Sequence, residues 1–233
     1  FAILFLIASI TSNPSSIISE GFFKGKSIDE IKSRLGFKNF LPYRNDIPRG
    51  EINEDLPTNF DSREKWGNCI HPIRDQEHCG SCWAFGATEV LSDRFCIKNK
   101  DIILSPQDLV SCNTQNHGCD GGYLTIAWAY LSFTGAVSDE CFPYTSGNGV
   151  VEPCRTSCVD SSIPFKKYKS TSVTQPKTIE AIKAQIYHNG PVETGFSVYR
   201  DFLSYTGGIY VHKSGELLGG HAVSCFGFDD AKQ

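Results

Sequence analysis

The chain is constrained most strongly by its ten cysteines, nine of which lie between residues 69 and 158. An ordinary cytosolic enzyme of 233 residues carries fewer, and closely spaced cysteines are typical of chains that form disulfides. We therefore expect the protein to fold in an oxidising compartment of the secretory pathway. The number of cysteines alone leaves their pairing open.

The composition is that of a globular protein with enough apolar residues to build a core. Hydrophobic residues make up 40% of the chain and aromatic residues 12%, which excludes a disordered or collagen-like chain. The 22 basic and 26 acidic residues give a formal charge of −4, and the basic residues form no block. We therefore expect no nucleic-acid partner.

The first ten residues, Phe1 to Ile10, are apolar and are followed by polar residues and Pro14. This run is too short for a membrane helix, which takes about 20 residues, but it fits the apolar part of a secretory signal. We interpret residues 1–17 as part of a signal peptide, with a buried strand as the alternative, and expect no membrane span in the mature form. Because the chain contains no Met, we expect its N-terminal end to be missing.

Residues 18–55 are mostly polar and contain one short helical pattern. Ser27 and Glu30 have the spacing of a capping box, apolar residues recur on one face, and Gly36 predicts the end of the helix. Residues 41–57 contain three prolines and many charges, as an accessible junction would. We therefore predict a pro-segment over residues 18–55.

The remainder of the chain is helical first and rich in strand patterns later. Cap residues and apolar periodicity predict helices over residues 81–95, 105–112, 124–133 and 178–188. The helix over residues 124–133 is apolar nearly all round, with Gly135 at its end, and is expected to be buried. Residues 141–158 contain glycines, prolines and three cysteines without apolar periodicity, and are predicted to form a loop linked by disulfides. Strands are predicted over Val192–Tyr199, Gly208–His212 and Ala222–Phe228.

The segment from Gln76 to Trp83 carries the pattern that is most informative about function. It reads Gln-Glu-His-Cys-Gly-Ser-Cys-Trp, and Cys82 opens a predicted helix. A thiolate at a helix N-terminus is stabilised by the helix dipole and by a nearby imidazolium. His221 follows Cys82 by 139 residues, within the spacing of about 130 to 150 that separates nucleophile and histidine around a C-G-S-C-W pattern. The pair predicts catalysis by a thiol nucleophile with a histidine acid.

These residues resemble the papain family of cysteine peptidases, in its cathepsin B-like branch. The resemblance covers residues 56–228 and implies an α+β, papain-like two-lobe fold. The helical lobe would span residues 56–165 and the β-rich lobe residues 166–233, with the active-site cleft between them. Further motifs that carry the resemblance are Arg74-Asp75-Gln76, Ser92-Asp93-Arg94, Gly118 to Tyr123, Asn189 to Glu193, Phe196 to Tyr199 and Gly219 to Ala222.

The resemblance also implies roles for individual residues. Cys82 would be the nucleophile and His221 its acid–base partner, and the side-chain amide of Gln76 would bind the oxyanion with the backbone N–H of Cys82. Substrate-binding positions would be Gly121, Gly122, Tyr123, Gly195 and Ala222, where glycine lets a peptide backbone approach. The implied disulfides are Cys69–Cys96, Cys79–Cys119, Cys112–Cys154 and Cys141–Cys158, which leaves Cys82 and Cys225 free.

The function implied is that of a cysteine endopeptidase that hydrolyses peptide bonds through a thioester. It would act on peptides or proteins, be made as a zymogen inhibited by its own pro-segment, and need no cofactor and no metal. A lysosome-like vacuole or the extracellular space is the expected location.

The sequence departs from the family pattern in three ways. The type enzyme of the branch has a long occluding loop whose adjacent histidines bind the substrate's C-terminal carboxylate, whereas Cys141 and Cys154 enclose twelve residues without His. The short loop predicts an open cleft and an endopeptidase that does not efficiently remove dipeptides from the C-terminus of a substrate. Glu77 and His78 stand where relatives more often have small residues. The family's catalytic Asn is expected beyond Gln233.

Two other classes of function stay open on the sequence alone. A catalytically impaired homologue would bind peptides or partner proteins without cleaving them. Cys79 and Cys82 also form a C-x-x-C pattern, which would suit a thiol–disulfide oxidoreductase with an exchangeable bridge between them, or half a zinc site. The other histidines are interpreted as structural or exposed: His71, His78, His117, His188 and His212.

Overall fold

The computed structural model describes residues 25–38 and 55–231 of the chain. The predicted signal segment and most of the predicted processing junction lie outside the described residues. The helices are α1 (Ile28–Ser33), α2 (Ser62–Trp66), α3 (Cys82–Ile97), α4 (Pro106–Cys112), α5 (Leu124–Phe133) and α6 (Ile179–Asn189). The strands are β1 (Asn59–Asp61), β2 (Val192–Tyr199), β3 (Leu217–Cys225) and β4 (Gly227–Asp229).

The largest apolar core lies around α3, which is buried over most of its length. Trp83 and Leu91 of α3 pack with Leu109 of α4 and Leu131 of α5, and the last two side chains are fully buried. Burial of each such large apolar side chain contributes about 1.5 to 3 kcal/mol before entropy is counted. This core holds the N-terminus of α3, and with it Cys82, in a rigid setting.

The predicted helices are confirmed, and two of them, α4 and α6, begin with a side-chain cap. The Ser105 hydroxyl accepts the N–H of Asp108 at 3.0 Å at the start of α4, and Thr178 caps α6 in the same way. The expected burial of α5 is wrong in part, because the helix packs one face on α3 and turns the other outward. Its last residue, Phe133, is 80% exposed.

The strands form two antiparallel pairs. β2 pairs with β3, which places Phe196 opposite His221, and β1 pairs with β4, so that Asn59 lies opposite Asp229. The predicted strand over Ala222–Phe228 is therefore two strands, because the chain leaves β3 before Gly227.

The predicted strand over Gly208–His212 is wrong, because these residues form a loop organised around Asp201. The Asp201 carboxylate accepts hydrogen bonds from the Tyr210 hydroxyl, the His212 ring and the backbone N–H groups of Lys213 and Ser214. These bonds replace the ladder that a partner strand would supply.

Four disulfides link the described residues, and they are the four pairs that the resemblance implies. Cys82 and Cys225 are free and buried. Since Cys79 is bonded to Cys119, it forms no bridge with Cys82. The oxidoreductase alternative requires a bridge between Cys79 and Cys82. Within the described ranges, no helix combines the length and the apolar character that crossing a membrane requires.

Residues 25–38 pack against the β2–β3 half of the molecule. The capping box predicted at Ser27 is present, with both of its hydrogen bonds to Glu30. The helix ends at Ser33, earlier than Gly36 predicts. Ile31 is buried in a cluster with Val198, Phe202 and Leu218, so the α1 segment is anchored by its apolar face.

Candidate active site

Cys82 is the first residue of α3 and is almost fully buried. The loop before it is fixed by the Cys79–Cys119 disulfide and by the N–H of Gly80, which donates to the Cys119 carbonyl at 2.9 Å. The N-terminus of a helix of this length favours a negative charge on the sulfur. The local fold therefore places the thiol at the end of α3 whose dipole favours the ionised form.

His221 reaches the same place from β3, the strand that packs against α3. The backbone of Ala222, the next residue, lies close enough to the Cys82 sulfur to hydrogen-bond to it. His221 is partly buried, its ring packs edge-on against Phe196, and its Nδ1 has no hydrogen-bond partner among the described residues. The structure thus brings the two predicted reactive residues to one site.

The surroundings of both groups favour their neutral forms in this structure. Burial raises the pKa of the Cys82 thiol to about 11, although backbone groups of Ala222 and Gly36 oppose the shift. Burial lowers the pKa of His221 to about 4, and the positive charge of Arg34 acts in the same direction. Between these two values the site holds a thiol and a neutral imidazole, because both side chains are desolvated, with Gly36 against the thiol and Arg34 near the imidazole.

We expect the reactivity of Cys82 towards alkylation to depend on whether residues 25–38 are in place. In the intact chain, iodoacetamide should label Cys82 slowly from pH 5 to 8, since the thiolate forms only near pH 11. After removal of the segment, labelling over the same range should be at least about tenfold faster, as an ion pair with His221 becomes accessible. Mass spectrometry of the labelled peptide measures both rates. Cys225, buried in either form, is the internal control, and equal rates for Cys82 in the two forms would contradict the prediction.

Gln76 is buried in the loop that precedes α3, and its side-chain amide is already hydrogen-bonded. Its Nε2 donates to the carbonyl of Arg34 at 2.8 Å and to that of Cys79 at 2.7 Å. The Tyr144 hydroxyl donates to the Gln76 carbonyl at 2.9 Å and fixes the backbone. The Arg34 carbonyl therefore accepts a hydrogen bond from the Gln76 amide, the group that the resemblance assigns to binding the oxyanion.

The chain continues from Arg34 across the thiol to the glycine loop. The Gly36 carbonyl accepts the N–H of Gly122 at 2.7 Å, and the N–H of Lys38 donates to the Gly122 carbonyl at 2.9 Å. The N–H of Phe37 donates to the Gly220 carbonyl at 3.0 Å. These bonds, which include a parallel bridge between Phe37 and Gly122, hold an extended peptide in the cleft.

The structure brings most of the predicted substrate-binding positions to this peptide. A Cβ at Gly195 would lie 2.3 Å from the Phe37 ring, and one at Gly121 would lie 2.5 Å from the Gly36 carbonyl oxygen. Both glycines therefore make room for the segment. Tyr123 differs, because its N–H donates to Asn116 and its ring packs against His117.

Sequence reasoning missed a buried carboxyl group behind the site. Glu193 accepts the Trp128 Nε1–H at 2.6 Å and lies against Gly86 of α3. Burial raises its pKa well above the usual range, although the Trp128 bond opposes the shift. Its place in the Asn189 to Glu193 motif was the only signal in the sequence. Arg34 and Asp75, which form an ion pair at 3.2 Å, were also missed as members of the site.

One group of possible metal ligands is found among the described residues, formed by His71, Cys96 and Asp101. Cys96 is disulfide-bonded, and the two ring nitrogens of His71 contact Asp93 and Asp101. The group is therefore occupied by its own internal bonds, in keeping with a structural role for His71.

Comparison with known proteins agrees with this geometry. Residues 56–233 match the family model described as papain family cysteine protease. The chain is 40% identical over 213 residues to cathepsin B-like CP3 of Giardia intestinalis, which covers 88% of this chain and 71% of that protein. It is 38% identical over 255 residues to cathepsin B of Dictyostelium discoideum, which covers 98% and 81%.

Among solved structures, the chain is similar to procathepsin B S9 from Trypanosoma congolense. The two are 33% identical with a TM-score of 0.75, and the match covers 87% of this chain and 74% of that chain. That solved structure is of a proform. The chain therefore belongs to the papain family of cysteine proteases, in its cathepsin B-like branch.

Proposed function

We propose that the processed protein is an endopeptidase that cleaves peptide bonds through a thioester on Cys82. The observation that carries this proposal is the path of residues 34–38, an extended peptide that enters and leaves the cleft on both sides of the thiol. A cleft that holds a continuous chain in this way suits the interior of a peptide rather than its end. Substrates are accordingly peptides or proteins.

The reaction follows from the positions of three residues. Once residues 25–38 are removed, the Cys82 thiolate attacks the substrate carbonyl and forms the tetrahedral intermediate. Gln76 Nε2 and the backbone N–H of Cys82 stabilise its negative oxygen. The protonated His221 transfers its proton to the leaving amine as the C–N bond breaks, and a thioester remains. Water, deprotonated by His221, then attacks the thioester and releases the acid and the Cys82 thiolate, so that the starting thiolate and protonated His221 are restored.

Residues 18–55 act in this proposal as an inhibitory pro-segment. The segment places a carbonyl at Gln76, covers the thiol with Gly36 and fills the space beside Gly195 with the Phe37 ring. Gly121, Gly122 and Ala222 would contact substrate where they now contact this segment or the thiol, and Tyr123 would border them. The apolar ring beside Gly195 supports a preference for an apolar substrate side chain at that position.

The lobes are taken as residues 56–165 and 166–233, with residues 1–17 as part of a signal peptide. A location in the secretory pathway, in a lysosome-like vacuole or outside the cell, is supported by the four disulfides and by the cathepsin B relatives.

The short loop between Cys141 and Cys154 supports an open cleft. It packs against the segment that precedes Cys82, since the N–H of His78 donates to the Gly147 carbonyl at 2.8 Å. None of its residues is a histidine that would hold a substrate carboxylate. An extended substrate would therefore continue past the site.

The mode of cleavage is tested with two internally quenched peptides of the same sequence, one with a free C-terminal carboxylate and one amidated. The processed full-length protein should cleave both with kcat/KM values within about threefold of each other, because the loop between Cys141 and Cys154 has no histidine to bind the free carboxylate. Stepwise loss of dipeptides from the free peptide alone would refute the endopeptidase mode. No cleavage of either peptide by folded, processed protein would favour the catalytically impaired homologue.

A further inference from the structure

The loop just before the active-site thiol carries negative charge, opposite in sign to the Arg34 side chain of the pro-segment. Arg34 Nη1 lies 3.2 Å from Asp75 Oδ1, and the Arg34 side chain is only 5% exposed, although Asp75 remains 64% exposed. Glu77 follows two residues later with a second exposed carboxylate. A basic side chain is thus bound at this place in the zymogen, next to Gln76 and Cys82.

The Asp75 carboxylate is held in position by contacts that do not involve the pro-segment. Its Oδ1 accepts the backbone N–H of Glu77 at 2.8 Å. Glu77 has a φ of +53°, a left-handed conformation that costs energy in a residue other than glycine. Its side chain lies against Gly147, and the Cys79–Cys119 disulfide fixes the chain that follows. Removal of residues 25–38 therefore leaves the carboxylate oriented towards the cleft.

The path of the pro-segment tells on which side of the scissile bond this carboxylate lies. The Arg34 carbonyl is at Gln76, Gly36 passes over the thiol and Phe37 pairs with Gly122. Arg34 and Gly122 are thus on opposite sides of Cys82. The positive charge of Arg34 also acts to lower the pKa of His221, the proton donor to the leaving amine. The Arg34 guanidinium consequently marks the leaving-group side.

We infer that Asp75, with Glu77 beside it, forms a subsite that binds a Lys or Arg side chain of the substrate on the leaving-group side of the scissile bond. Arg34 occupies this subsite in the zymogen and vacates it on processing. The inference rests on the proposed endopeptidase function and adds a preference for basic residues to it.

The size of the preference follows from the exposure of the two partners. An exposed ion pair strengthens binding about 1.4- to fivefold, and a hydrogen bond to a charged group strengthens it about 10- to 150-fold. The buried Arg34 guanidinium on the exposed Asp75 carboxylate falls between these two cases. We expect about a tenfold preference in kcat/KM.

The test uses pairs of internally quenched peptides that differ in one residue, Arg or its uncharged isostere citrulline. The replaced residue is the first or the second after the scissile bond, and mass spectrometry verifies the cleaved bond. The processed full-length protein is compared with Asp75→Asn, whose Oδ1 can still accept the Glu77 N–H and keep the turn. Asp101→Asn is the matched control, because Asp101 contacts His71 near the far end of α3, about 20 Å from Cys82.

We expect the Arg peptide to be cleaved about tenfold faster than the citrulline peptide at one of the two positions. This ratio should fall to about two or less in Asp75→Asn, decrease less in Glu77→Gln and be kept in Asp101→Asn. Equal cleavage of both peptides, or a ratio that survives in Asp75→Asn, would overturn the subsite while leaving the endopeptidase function intact. Absence of cleavage of all peptides would overturn both.

Discussion

Replacement of Cys82 by serine is expected to lower kcat/KM for peptide cleavage by at least about 10⁴-fold. The hydroxyl has nearly the shape of the thiol, so α3 and the core behind it should fold unchanged. An alcohol is far less acidic than a thiol, and neither the N-terminus of α3 nor His221 as an imidazolium can ionise it at the pH where a thiolate would form. The measurement is initial cleavage of an internally quenched peptide by the processed protein.

Cys225 supplies the matched control for this experiment. It is the other free cysteine of the described residues and is equally buried, in a cluster with Ile186 and Phe228. Cys225→Ser should keep activity within about twofold and lose about 1 to 3 kcal/mol of stability, because a hydroxyl is placed in an apolar setting. Residual activity of Cys82→Ser near that of the control would exclude Cys82 as the nucleophile.

The second large effect is expected in the zymogen, from Gly36→Ala. A Cβ on Gly36 would lie 1.7 Å from the Gly80 carbonyl oxygen, and Gly80 is held by Cys119 through a backbone hydrogen bond and the neighbouring disulfide. The pro-segment must therefore lift from the cleft. Three backbone hydrogen bonds made by residues 36–38 would be lost, at about 1 kcal/mol each.

This loss corresponds to about a 100-fold increase in the fraction of zymogen with an uncovered thiol. The rate at which iodoacetamide labels Cys82 in the intact chain at pH 7 should rise by a similar factor. Gly25→Ala is the control, because Gly25 has a left-handed φ of +77° but no atom within 4 Å of an added Cβ. If both variants label at the rate of the unchanged zymogen, residue 36 does not cover the thiol as described.

Local signals in the sequence were sufficient for much of the fold. The start of α4 follows from the Ser105 side chain and Pro106, which act within one turn of helix. The end of α6 follows from Gly190, whose φ of +95° suits glycine. Such features are encoded by residues three or four positions apart, so one sequence reveals them.

Features that depend on distant partners were predicted less well. The loop around Asp201 could not be anticipated, since its strand-like residues are held by a carboxylate rather than by a neighbouring strand. The ion pair of Arg34 with Asp75 joins residues 41 positions apart, and nothing in the Arg74-Asp75-Gln76 motif indicates Arg34 as the partner of Asp75. For the candidate site, motif spacing pointed to Cys82, His221 and Gln76, and the resemblance implied that a pro-segment over residues 18–55 inhibits the enzyme. Which residues of that segment lie over the thiol could not be read from the sequence.

The pairing of β1 with β4 has a consequence for the order in which the protein can form. Asn59 is synthesised early, and its partner Asp229 follows 170 residues later. At about 5 to 20 residues per second, the ribosome takes about 10 to 35 s to supply the second strand. During that interval Phe60 lacks Phe228, the ring against which it finally packs. The nascent chain therefore carries an unpaired apolar edge until the second strand has left the ribosome.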